Sequence, residues 1–577
     1  MAKIYLWNSI AYRRRSISDT FYENGLATIK SMVESRGHKA VVVDFANNQY
    51  YLKLSPGWLV LTLRKLYKII FQSPSSFQKH VLQIIALVLQ KLLNFFQKRY
   101  LKKELDKLIS AIKKDNTKLL GIKVWYGDAF RNANYLAKRI KKKIPDIIVI
   151  SGGYHVTLYE EQLIKESQFD LGIAGPGSNA INSILSIADK YADKWDKTAV
   201  LNEFRKRAQQ GDLGTVFFKE NGQIEKFTGN HIGNSNSESL RYEINPDKVK
   251  VHVLVESSGC PWGKCNFCVH NYFNKENQQR NMDEIMGEIR SMKSQGIGLF
   301  RFAGSDTPPH FGAKIAERLI SENIQIIYSM GSRAIKFAKN NYADLLANYE
   351  VMLHSGLRAI FMGGECGNDQ VNKEIMNKGI TSEDIYYTVK AFREAEKNTG
   401  IKAFLLLALI YPPPLPPHIN LQQVEDDNLA LLRKTMPDSV MISPPAPFIH
   451  SRWFEESEKF GFDLEPDFIS KIMKYEYVLY KPPKMWPKLD INLNGKPFVE
   501  ILAECSVFRN KVQNILGIPT DVADEHILMF IAAGLTDPKQ IMQARMETML
   551  DIISCDYTYT LKLSEKVNAY SEKIAAL

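Results

Sequence analysis

Three cysteines in one short stretch are the residues of this chain whose spacing is best suited to chemistry. Residues 257–270 read SSGCPWGKCNFCVH, with four residues between Cys260 and Cys265 and two between Cys265 and Cys268. The chain has six cysteines in 577 residues, which is not the pattern of a disulfide framework. Thiolates this close together predict a metal site in a reducing compartment.

Two kinds of metal site fit these thiolates. Iron–sulfur clusters ordinarily take four cysteine ligands. Three thiolates in one loop can therefore bind three irons of a cubane and leave the fourth iron open to a substrate or cofactor. Alternatively, His270 completes a Cys3His zinc site, because structural zinc takes four ligands. Structural zinc motifs usually come as paired knuckles, and this loop is single, which favours the cluster.

The cysteine loop follows the first of six predicted strands that alternate with helical patterns. The strand regions read VHVLVESS, GIGLFRFAG, IQIIYSMGSR, GLRAIFMGGECG, IKAFLLLALIYPPP and DSVMISPPAPF. This order predicts an open, partial (β/α)6 barrel over residues 246–460, in which strand ends carry the chemistry. Residues 461–577 have helical patterns and predict a mainly helical C-terminal region.

An α/β domain with a Rossmann-like parallel sheet is predicted over residues 1–195. Strand patterns such as AKIYLWN, KAVVVDF, LLGIKVWY and DIIVISGGYH alternate there with helical ones. Two glycine turns, at 150–157 (ISGGYHVT) and 175–178 (GPGS), follow strands, and open α/β sheets bind ligands at such positions. Residues 196–245 predict a linker with a β-hairpin around Asn221 and Gly222.

Residues 48–116 interrupt the alternation of the first domain with helical patterns. These patterns are strongly amphipathic, and Lys and Arg gather at their ends. One interpretation is a helical insertion that packs on the sheet. The other is a peripheral contact with a membrane or with an apolar substrate.

Charge and the N-terminal sequence limit partners and location. The formal net charge is +12, but Lys and Arg are scattered and no basic block marks a nucleic-acid domain, so no nucleic-acid partner is expected. The N-terminal sequence MAKIYLWNSI reads as a strand, not as a signal peptide. No apolar run reaches the roughly 18 uncharged residues of a spanning helix. These features predict a cytoplasmic location.

The cysteine motif CPWGKCNFC resembles that of radical S-adenosylmethionine (radical SAM) enzymes, with one more residue than their most common spacing. The resemblance implies that Cys260, Cys265 and Cys268 hold a [4Fe–4S] cluster with one open iron. The segments FRFAGSDTP, YSMGSR and FMGGECGNDQVNKEIMNKGIT resemble later segments of the same barrel. The implied contacts to S-adenosylmethionine (SAM) are Phe267, Gly304, Ser305, Asp306, Ser329, Arg333 and Glu365.

The two glycine turns resemble the GGxHxT and G-x-G signature of cobalamin-binding domains that precede a class of radical SAM barrels. The implied cobalamin contacts are Ser151, Gly152, Gly153, Tyr154, His155, Val156, Thr157, Gly175, Pro176 and Gly177. The second turn departs from the usual acidic GEGE pattern. The Asp-x-His-x-x-Gly motif of base-off methyltransferases is absent from this sequence, so His155 need not ligate cobalt, and the favoured interpretation is a hydrogen-bonded loop residue.

The combined resemblance implies a methyltransferase that acts on an unactivated carbon through a 5′-deoxyadenosyl radical and methylcobalamin. An alternative keeps both cofactors for a non-methylating cyclisation or rearrangement. A third interpretation is a metal-knuckle binding protein associated with nucleic acid or membrane. The implied partners are a small-molecule, lipid or peptide substrate and an external one-electron reductant of the flavodoxin or ferredoxin type.

Overall fold

The computed structural model describes the chain except residues 1, 74, 230–241, 243–244, 274–275, 477, 479–480, 482–484, 490 and 521. The chain divides into two compact units that each contain segments distant in sequence. The first unit comprises Met1–Lys248, Pro466–Leu489 and Thr548–Tyr559, and the second comprises Val249–Glu465, Asp490–Glu547 and Thr560–Leu577.

A seven-stranded sheet organises the first unit, in the order β2-β1-β3-β4-β5-β6-β7. Strands β1 to β5 are parallel, and β6 and β7 are antiparallel additions at one edge. The strands are β1 Lys3–Asn8, β2 Lys39–Asp44, β3 Leu119–Lys123, β4 Ile148–Gly152, β5 Leu171–Ala174, β6 Thr215–Glu220 and β7 Gln223–Phe227. The hairpin predicted around Asn221 and Gly222 is therefore part of this sheet.

Helices connect these strands and cover the sheet. They are α1 Asn24–Ser35, α2 Asn48–Lys53, α3 Gly57–Gln72, α4 Ser76–Lys114, α5 Asp128–Lys143, α6 Tyr154–Lys165, α7 Ser178–Lys190 and α8 Lys197–Gln209, with a short 3-10 helix at Ile17–Thr20. The interrupting segment of the sequence thus folds as α2, α3 and α4 between β2 and β3. The central strands are buried on both faces, which explains their nearly continuous apolar sequences.

A six-stranded parallel sheet organises the second unit, in the order β15-β14-β13-β12-β11-β8. Its strands are β8 Val251–Leu254, β11 Leu299–Phe302, β12 Ile327–Arg333, β13 Leu357–Glu365, β14 Phe404–Ile410 and β15 Ser439–Ser443, and a small antiparallel pair consists of β9 Ser257–Ser258 and β10 Gln278–Gln279. Each strand pairs with its neighbour in sequence, and β8 and β15 are the two ends of the sheet. This is the predicted open, partial (β/α)6 barrel.

The helices of the barrel alternate with its strands. They are α9 His270–Phe273, α10 Met282–Ser294, α11 Pro309–Ser321, α12 Tyr342–His354, α13 Ser382–Thr399, α14 Leu421–Thr435 and α15 Arg452–Glu455, with a π-helix at Val371–Ile375 and a 3-10 helix at Ser457–Phe460. The strand β14 reads FLLLALI and is buried along almost its whole length, as a strand covered on both faces requires.

The C-terminal region is mainly helical, as its sequence predicts. Its helices are α16 Phe468–Lys474, α17 Phe498–Leu516, α18 Asp524–Ala532, α19 Pro538–Ser554 and α20 Thr558–Ala575. It also contains a small antiparallel sheet of β16 Phe462–Leu464, β17 Ile491–Leu493 and β18 Lys496–Pro497. These strands have two or three residues each, too short for a periodicity to reveal.

Candidate functional site

The cysteine loop leaves the carboxyl end of β8 and is fixed by hydrogen bonds to the segment after β13. Asn266, between the second and third cysteines, donates from its backbone N–H to the carbonyl of Met376 (2.9 Å) and from Nδ2 to the carbonyl of Ile375 (3.0 Å). Trp262 donates from Nε1 to the carbonyl of Asn377 (2.8 Å). The loop is therefore positioned by a segment more than one hundred residues away, in addition to the bond from the N–H of Cys268 to the carbonyl of Cys265 (3.3 Å) within the loop.

Close packing of Trp262 fixes the loop further. Gly379 has φ +69°, and a Cβ there would lie 2.2 Å from the indole ring of Trp262. The position therefore requires glycine for both conformation and space. The guanidinium of Arg333 lies 5.0 Å from the centre of the same ring, a cation–π distance. Phe267 packs near Trp453, with ring centres 5.7 Å apart.

The three thiols are half-buried beside two cations. Burial raises the pKa of Cys265 to about 12, and the positive charges of Lys378 and Arg333 oppose that rise. Burial also raises the pKa of Cys268. A thiol in this environment becomes a thiolate when a metal displaces its proton, and cations then stabilise the anionic site. Partly exposed thiols that need a metal for deprotonation fit the ligands of an iron–sulfur cluster.

A single zinc ion is a poorer fit to the same loop. Zinc holds its sulfur ligands about 2.3 Å from one point. Within the described residues, no three His, Cys, Asp or Glu side chains form a group that could hold one metal ion in this way. The cysteines of a cubane bind at different irons and need not converge on one point. His270 is exposed at the start of α9.

Asp306, in the turn after β11, contacts both Cys260 and the end of β12. Its Oδ1 accepts a hydrogen bond from the backbone N–H of Arg333 at the end of β12 (3.0 Å), and Cys260 Sγ lies 3.7 Å from its Oδ2. Burial raises the pKa of Asp306, against the lowering effect of its hydrogen bonds and nearby cations. The structure thus brings together three residues that the sequence predicts for one site.

Glu365 ends β13 in an unusual backbone conformation. Its φ is +65°, and the register of β13 against β14 shifts between Gly363 and Glu365. Its Oε1 accepts a hydrogen bond from Lys378 Nζ at 2.8 Å, and both side chains are buried. Burial opposes the charge of Lys378, but Glu365 and Cys265 outweigh it, so the pKa of Lys378 lies above its usual value. A non-glycine residue held at positive φ is typical of a functional position.

Two buried polar atoms on β12 have no hydrogen-bond partner among the described residues. They are Ser329 Oγ and Arg333 Nε. The terminal NH2 group of Arg333 donates to the carbonyl of Lys378 (2.6 Å), so the guanidinium is held but only partly satisfied. Buried polar groups normally have partners, and a polar ligand such as SAM would supply them.

The turn after β11 is shaped around a buried glutamate. Gly304 donates its backbone N–H to Glu256 Oε2 (3.1 Å), and Thr307 donates its hydroxyl to the same carboxylate. A Cβ on Gly304 would lie 2.4 Å from Ser257 Oγ, so glycine is required by close approach. Ser305 is half-buried in the same turn.

The two glycine turns of the first unit lie at the carboxyl ends of β4 and β5, which are neighbouring parallel strands. Gly153 has φ +99° and Gly175 has φ +83°, conformations that favour glycine. Thr157 joins the turns, because its Oγ1 accepts from the N–H of Gly175 (2.8 Å) and donates to the carbonyl of Gly153 (3.3 Å). These joined turns, at the edge where open sheets bind ligands, fit a cobalamin cradle.

The remaining predicted cobalamin residues have different surroundings. The hydroxyl of Ser151 donates to the carbonyl of Leu171 (3.2 Å) inside the sheet, and Val156 is fully buried. Tyr154 is exposed, and Gly152, Pro176 and Gly177 are half-exposed or exposed in the turns. The turn residues are therefore the accessible part of the predicted set.

His155 is buried among aromatic rings at the start of α6. The ring centres of Trp125, Tyr126 and Tyr159 lie 5.4, 5.1 and 5.8 Å from its own. Burial, followed by the charges of Arg15 and Lys123, lowers the pKa of His155 to about 3, against a backbone hydrogen bond with Val124. The histidine is therefore neutral. It lies in the first turn of α6 and not in a loop, and its Nδ1 has no hydrogen-bond partner among the described residues.

This environment predicts a pH dependence of stability that His155→Phe removes. The folded-state pKa of about 3 lies below the ordinary 6.5, so the stabilisation is complete above pH 6.5 and decreases as pH falls towards 3. The slope is about 1.4 kcal/mol per pH unit, which predicts a loss of about 2 kcal/mol between pH 7.5 and 5.0. Urea unfolding at both pH values measures it. The exposed His354, replaced by Gln, is the control, and an unchanged pH dependence in His155→Phe contradicts the prediction.

Sequence reasoning missed three residues of the barrel site: Glu256, Asn266 and Lys378. Glu256 and Asn266 lie beside the cysteines in sequence, but their roles depend on contacts with distant turn and helix residues, Gly304 and Ile375. Lys378 lies in the stretch that continues from Glu365, thirteen residues later. A lysine next to a glycine in that stretch was the available signal.

Two family models match the chain. The model of the Radical SAM superfamily matches residues 255–411, which contain the cysteine loop and β11 to β14. The model of the B12 binding domain matches residues 82–185, which contain both glycine turns.

Two curated relatives match over part of their length. The anaerobic magnesium-protoporphyrin IX monomethyl ester cyclase of Rubrivivax gelatinosus is 24% identical over 263 residues, which are 44% of this chain and 46% of that protein. The tRNA-2-methylthio-N(6)-dimethylallyladenosine synthase of Thermosipho africanus (strain TCF52B) is 20% identical over 152 residues, 25% of this chain and 34% of that protein. The chain thus spans less than half the length of these curated relatives.

Solved structures match nearly the whole chain. The radical S-adenosylmethionine methyltransferase TsrM from Kitasatospora setae, with cobalamin and a [4Fe–4S] cluster bound, has a TM-score of 0.57 at 12% identity, and covers 95% of this chain and 100% of that chain. The cobalamin-dependent S-adenosylmethionine radical enzyme OxsB, with aqua-cobalamin and S-adenosylmethionine bound, has a TM-score of 0.53 at 13% identity. The match covers 96% of this chain and 72% of that chain. At these identities the likeness shows the fold alone.

Proposed function

We propose that this chain, which belongs to the radical SAM enzymes that carry a B12-binding domain, methylates an unactivated carbon of its substrate. Its cofactors are a [4Fe–4S] cluster, SAM and cobalamin. The observation that carries the proposal is the presence of two sites in one chain. One is the three-thiol loop at the carboxyl end of β8, and the other is the joined glycine turns after β4 and β5.

The residues of the barrel site have different proposed roles: cluster ligands, SAM contacts, positive charges near the thiolates, and aromatic packing around the loop. Cys260, Cys265 and Cys268 would hold the cluster, and the SAM contacts would come from Asp306, Ser329, Arg333 and Glu365. When bound, the cluster and SAM supply a 5′-deoxyadenosyl radical, and methylcobalamin supplies a methyl group. Lys378 and Arg333 place positive charge beside the thiolates. The rings of Trp262 and Phe267 belong to the loop, and Phe267 packs near Trp453.

The residues of the glycine turns would hold cobalamin. Gly153 and Gly175 lack a side chain and let a bulky ligand approach the backbone closely. Thr157 keeps the two turns at a fixed separation through its hydroxyl. The aromatic cage of His155 keeps its imidazole neutral and buried, so we assign it a structural role and not cobalt ligation.

The two candidate functions are each supported by similarity to a different known protein. TsrM, which shares the fold over nearly the whole chain, is a methyltransferase. The cyclase of Rubrivivax gelatinosus, the more similar of the two curated relatives, favours a non-methylating cyclisation or rearrangement with the same cofactors. The match of residues 255–411 to the Radical SAM superfamily model supports an enzyme over the metal-knuckle binding protein.

The proposed partners are a small-molecule, lipid or peptide substrate and an external one-electron reductant of the flavodoxin or ferredoxin type. We propose a cytoplasmic location, where such reductants operate. No nucleic-acid partner is proposed, because the excess positive charge lies among the apolar residues of the helical insertion and no nucleic-acid-binding motif accompanies it.

Isotope labelling separates the two candidates. The protein, reconstituted without oxygen and supplied with cobalamin, a reductant and SAM carrying a deuterated methyl group, is followed by mass spectrometry. Methylation predicts labelled methylcobalamin, S-adenosylhomocysteine and 5′-deoxyadenosine, and labelled product once the substrate is present. Deuterium-free product with continued 5′-deoxyadenosine formation supports the rearrangement instead. A reconstituted protein with zinc and no sulfide contradicts both.

A further inference from the structure

Exposed apolar side chains concentrate on two helices of the first unit. Of the 24 large hydrophobic residues exposed in the described chain, 11 lie on α3 and α4: Trp58, Leu61, Ile69, Phe71, Phe77, Val81, Ile84, Ile85, Val88, Leu92 and Phe95. The other 13 are spread over the rest of the sequence. Single exposed apolar residues are ordinary, but a contiguous set of this size marks an interaction surface. We call these 11 residues the α3–α4 surface.

The apolar residues of α4 form one stripe that ends in basic residues. Phe77, Val81, Ile84, Val88 and Phe95 recur at spacings of three, four and seven, which places them on one face of a helix. Their exposure is high, with values of 81% for Phe77, 63% for Ile84 and 61% for Val88. The same helical spacing continues through the exposed Arg99, Lys102 and Lys103. The face therefore changes from apolar to positively charged along its length.

The segment that contains this surface has no acidic residue. Between Asp44 and Glu104 the sequence contains eight lysines, two arginines and no Asp or Glu. The rest of the chain mixes both signs of charge, so this segment carries most of the net charge of +12. Apolar residues flanked by Lys and Arg are the composition of helices that lie in the interface of anionic membranes.

The opposite face of α4 is packed inside the first unit. Leu93 and Leu105 are fully buried there. Gln90 donates from Nε2 to the carbonyl of Ile553 (3.0 Å), and Gln97 donates from Nε2 to Ser55 Oγ (3.0 Å). By length and composition, α4 is the one helix in the described part of the chain that could cross a membrane. Its buried glutamines and their protein partners place it on the protein instead, with only one face open.

We propose that the α3–α4 surface docks the protein on an anionic lipid bilayer, with α3 and α4 lying in the interface. The apolar side chains enter the boundary between headgroups and acyl chains, and Arg99, Lys102 and Lys103 contact the headgroups. The positive charge of the segment favours a bilayer over a second copy of the chain as the binding partner of this surface. Two copies meeting through this surface would bring together two segments that each contain ten basic and no acidic residues, of which Arg64 is paired with Asp551.

Vesicle sedimentation tests the proposal with the reconstituted full-length protein. We expect the protein to sediment with vesicles of phosphatidylcholine containing about one third phosphatidylglycerol, and about tenfold less with pure phosphatidylcholine. High salt weakens the binding. The variants I84D/V88D and R99E/K102E/K103E each reduce it by about tenfold or more. Emission of Trp58 shifts to the blue on adding anionic vesicles, and W58F lacks that component.

Matched variants elsewhere control for composition and charge. V507D/I515D places two charges at other exposed apolar positions, on α17, and K397E/R433E/K434E makes the same change of charge at exposed positions of α13 and α14. Both are expected to bind vesicles like the wild type. The proposal is overturned if these controls lose binding equally, or if the protein does not sediment with anionic vesicles. It is also overturned if the protein binds no vesicles and instead forms a dimer that I84D/V88D dissociates. Because sedimentation needs no substrate, its failure is distinguishable from failure of the proposed methylation.

Discussion

Replacing Cys265 by alanine is expected to abolish formation of 5′-deoxyadenosine and to reduce iron and sulfide to background. Cys265 lies between the other two cysteines, in a loop fixed by Asn266 and Trp262 to the segment after β13. Alanine leaves two thiols, and no other cysteine of the chain lies in this loop. The loss is expected to be at least about three orders of magnitude, the size typical of removing an essential group.

The measurement is iron and sulfide content together with 5′-deoxyadenosine from SAM and a chemical reductant. Cys505→Ala is the matched control, since it removes a buried cysteine on α17 away from the loop. It should keep the brown absorbance, about four irons and about four sulfides per chain, and full SAM cleavage. If Cys265→Ala still produces 5′-deoxyadenosine, or if both variants lose the cluster equally, the assignment of the loop is wrong.

Local sequence patterns were enough to predict the fold. The strand β14 and the other strands of the second unit are short apolar runs separated by helical patterns, and the order of strands in a (β/α) sheet follows the chain. The glycine turns after β4 and β5 were predictable for the same reason. The predicted boundary at residue 195 separates the hairpin of β6 and β7 from the sheet, because nothing local in the hairpin says that it pairs with β5.

Contacts between distant residues explain what the sequence left open. The partner of Glu365 is a lysine outside β13, and the anchors of the cysteine loop are backbone carbonyls at Ile375, Met376 and Asn377. A backbone carbonyl has no sequence signature. The amphipathic pattern of α4 predicts an apolar face, but only the structure shows that the face toward the protein carries Gln90 and Gln97 while Ile84 and Val88 are exposed. Both interpretations of that segment are compatible with the sequence for this reason.

The second large effect is expected at the buried pair of Glu365 and Lys378. Nζ of Lys378 lies 2.8 Å from Oε1 of Glu365, and the side chains of Lys378 and Glu365 are 9% and 10% exposed. Lys378→Met leaves a carboxylate buried without its partner, which is expected to lower the free energy of unfolding by about 3–5 kcal/mol. Glu365→Gln leaves a buried ammonium and is expected to act in the same direction. Urea unfolding measures both.

The double variant K378M/E365Q separates the stability of the pair from its role in the site. It contains neither charge, so it should recover most of the stability lost in Lys378→Met, since burying an ion pair costs about as much as the pair returns. SAM affinity, measured by equilibrium dialysis on the reconstituted protein, should stay reduced by about tenfold or more, because a charged hydrogen-bond partner at the site contributes about 1.5–3 kcal/mol.

An exposed ion pair provides the matched control for this experiment. Lys339 and Glu383 lie 3.2 Å apart with side chains 60% and 61% exposed. Solvent screens such an exposed pair, so K339M/E383Q should change neither unfolding nor SAM affinity appreciably. If K378M/E365Q regains wild-type SAM affinity together with its stability, the pair supports the fold alone. Continued loss of affinity in a stable variant instead means that the charged groups of Glu365 and Lys378 contribute to SAM binding.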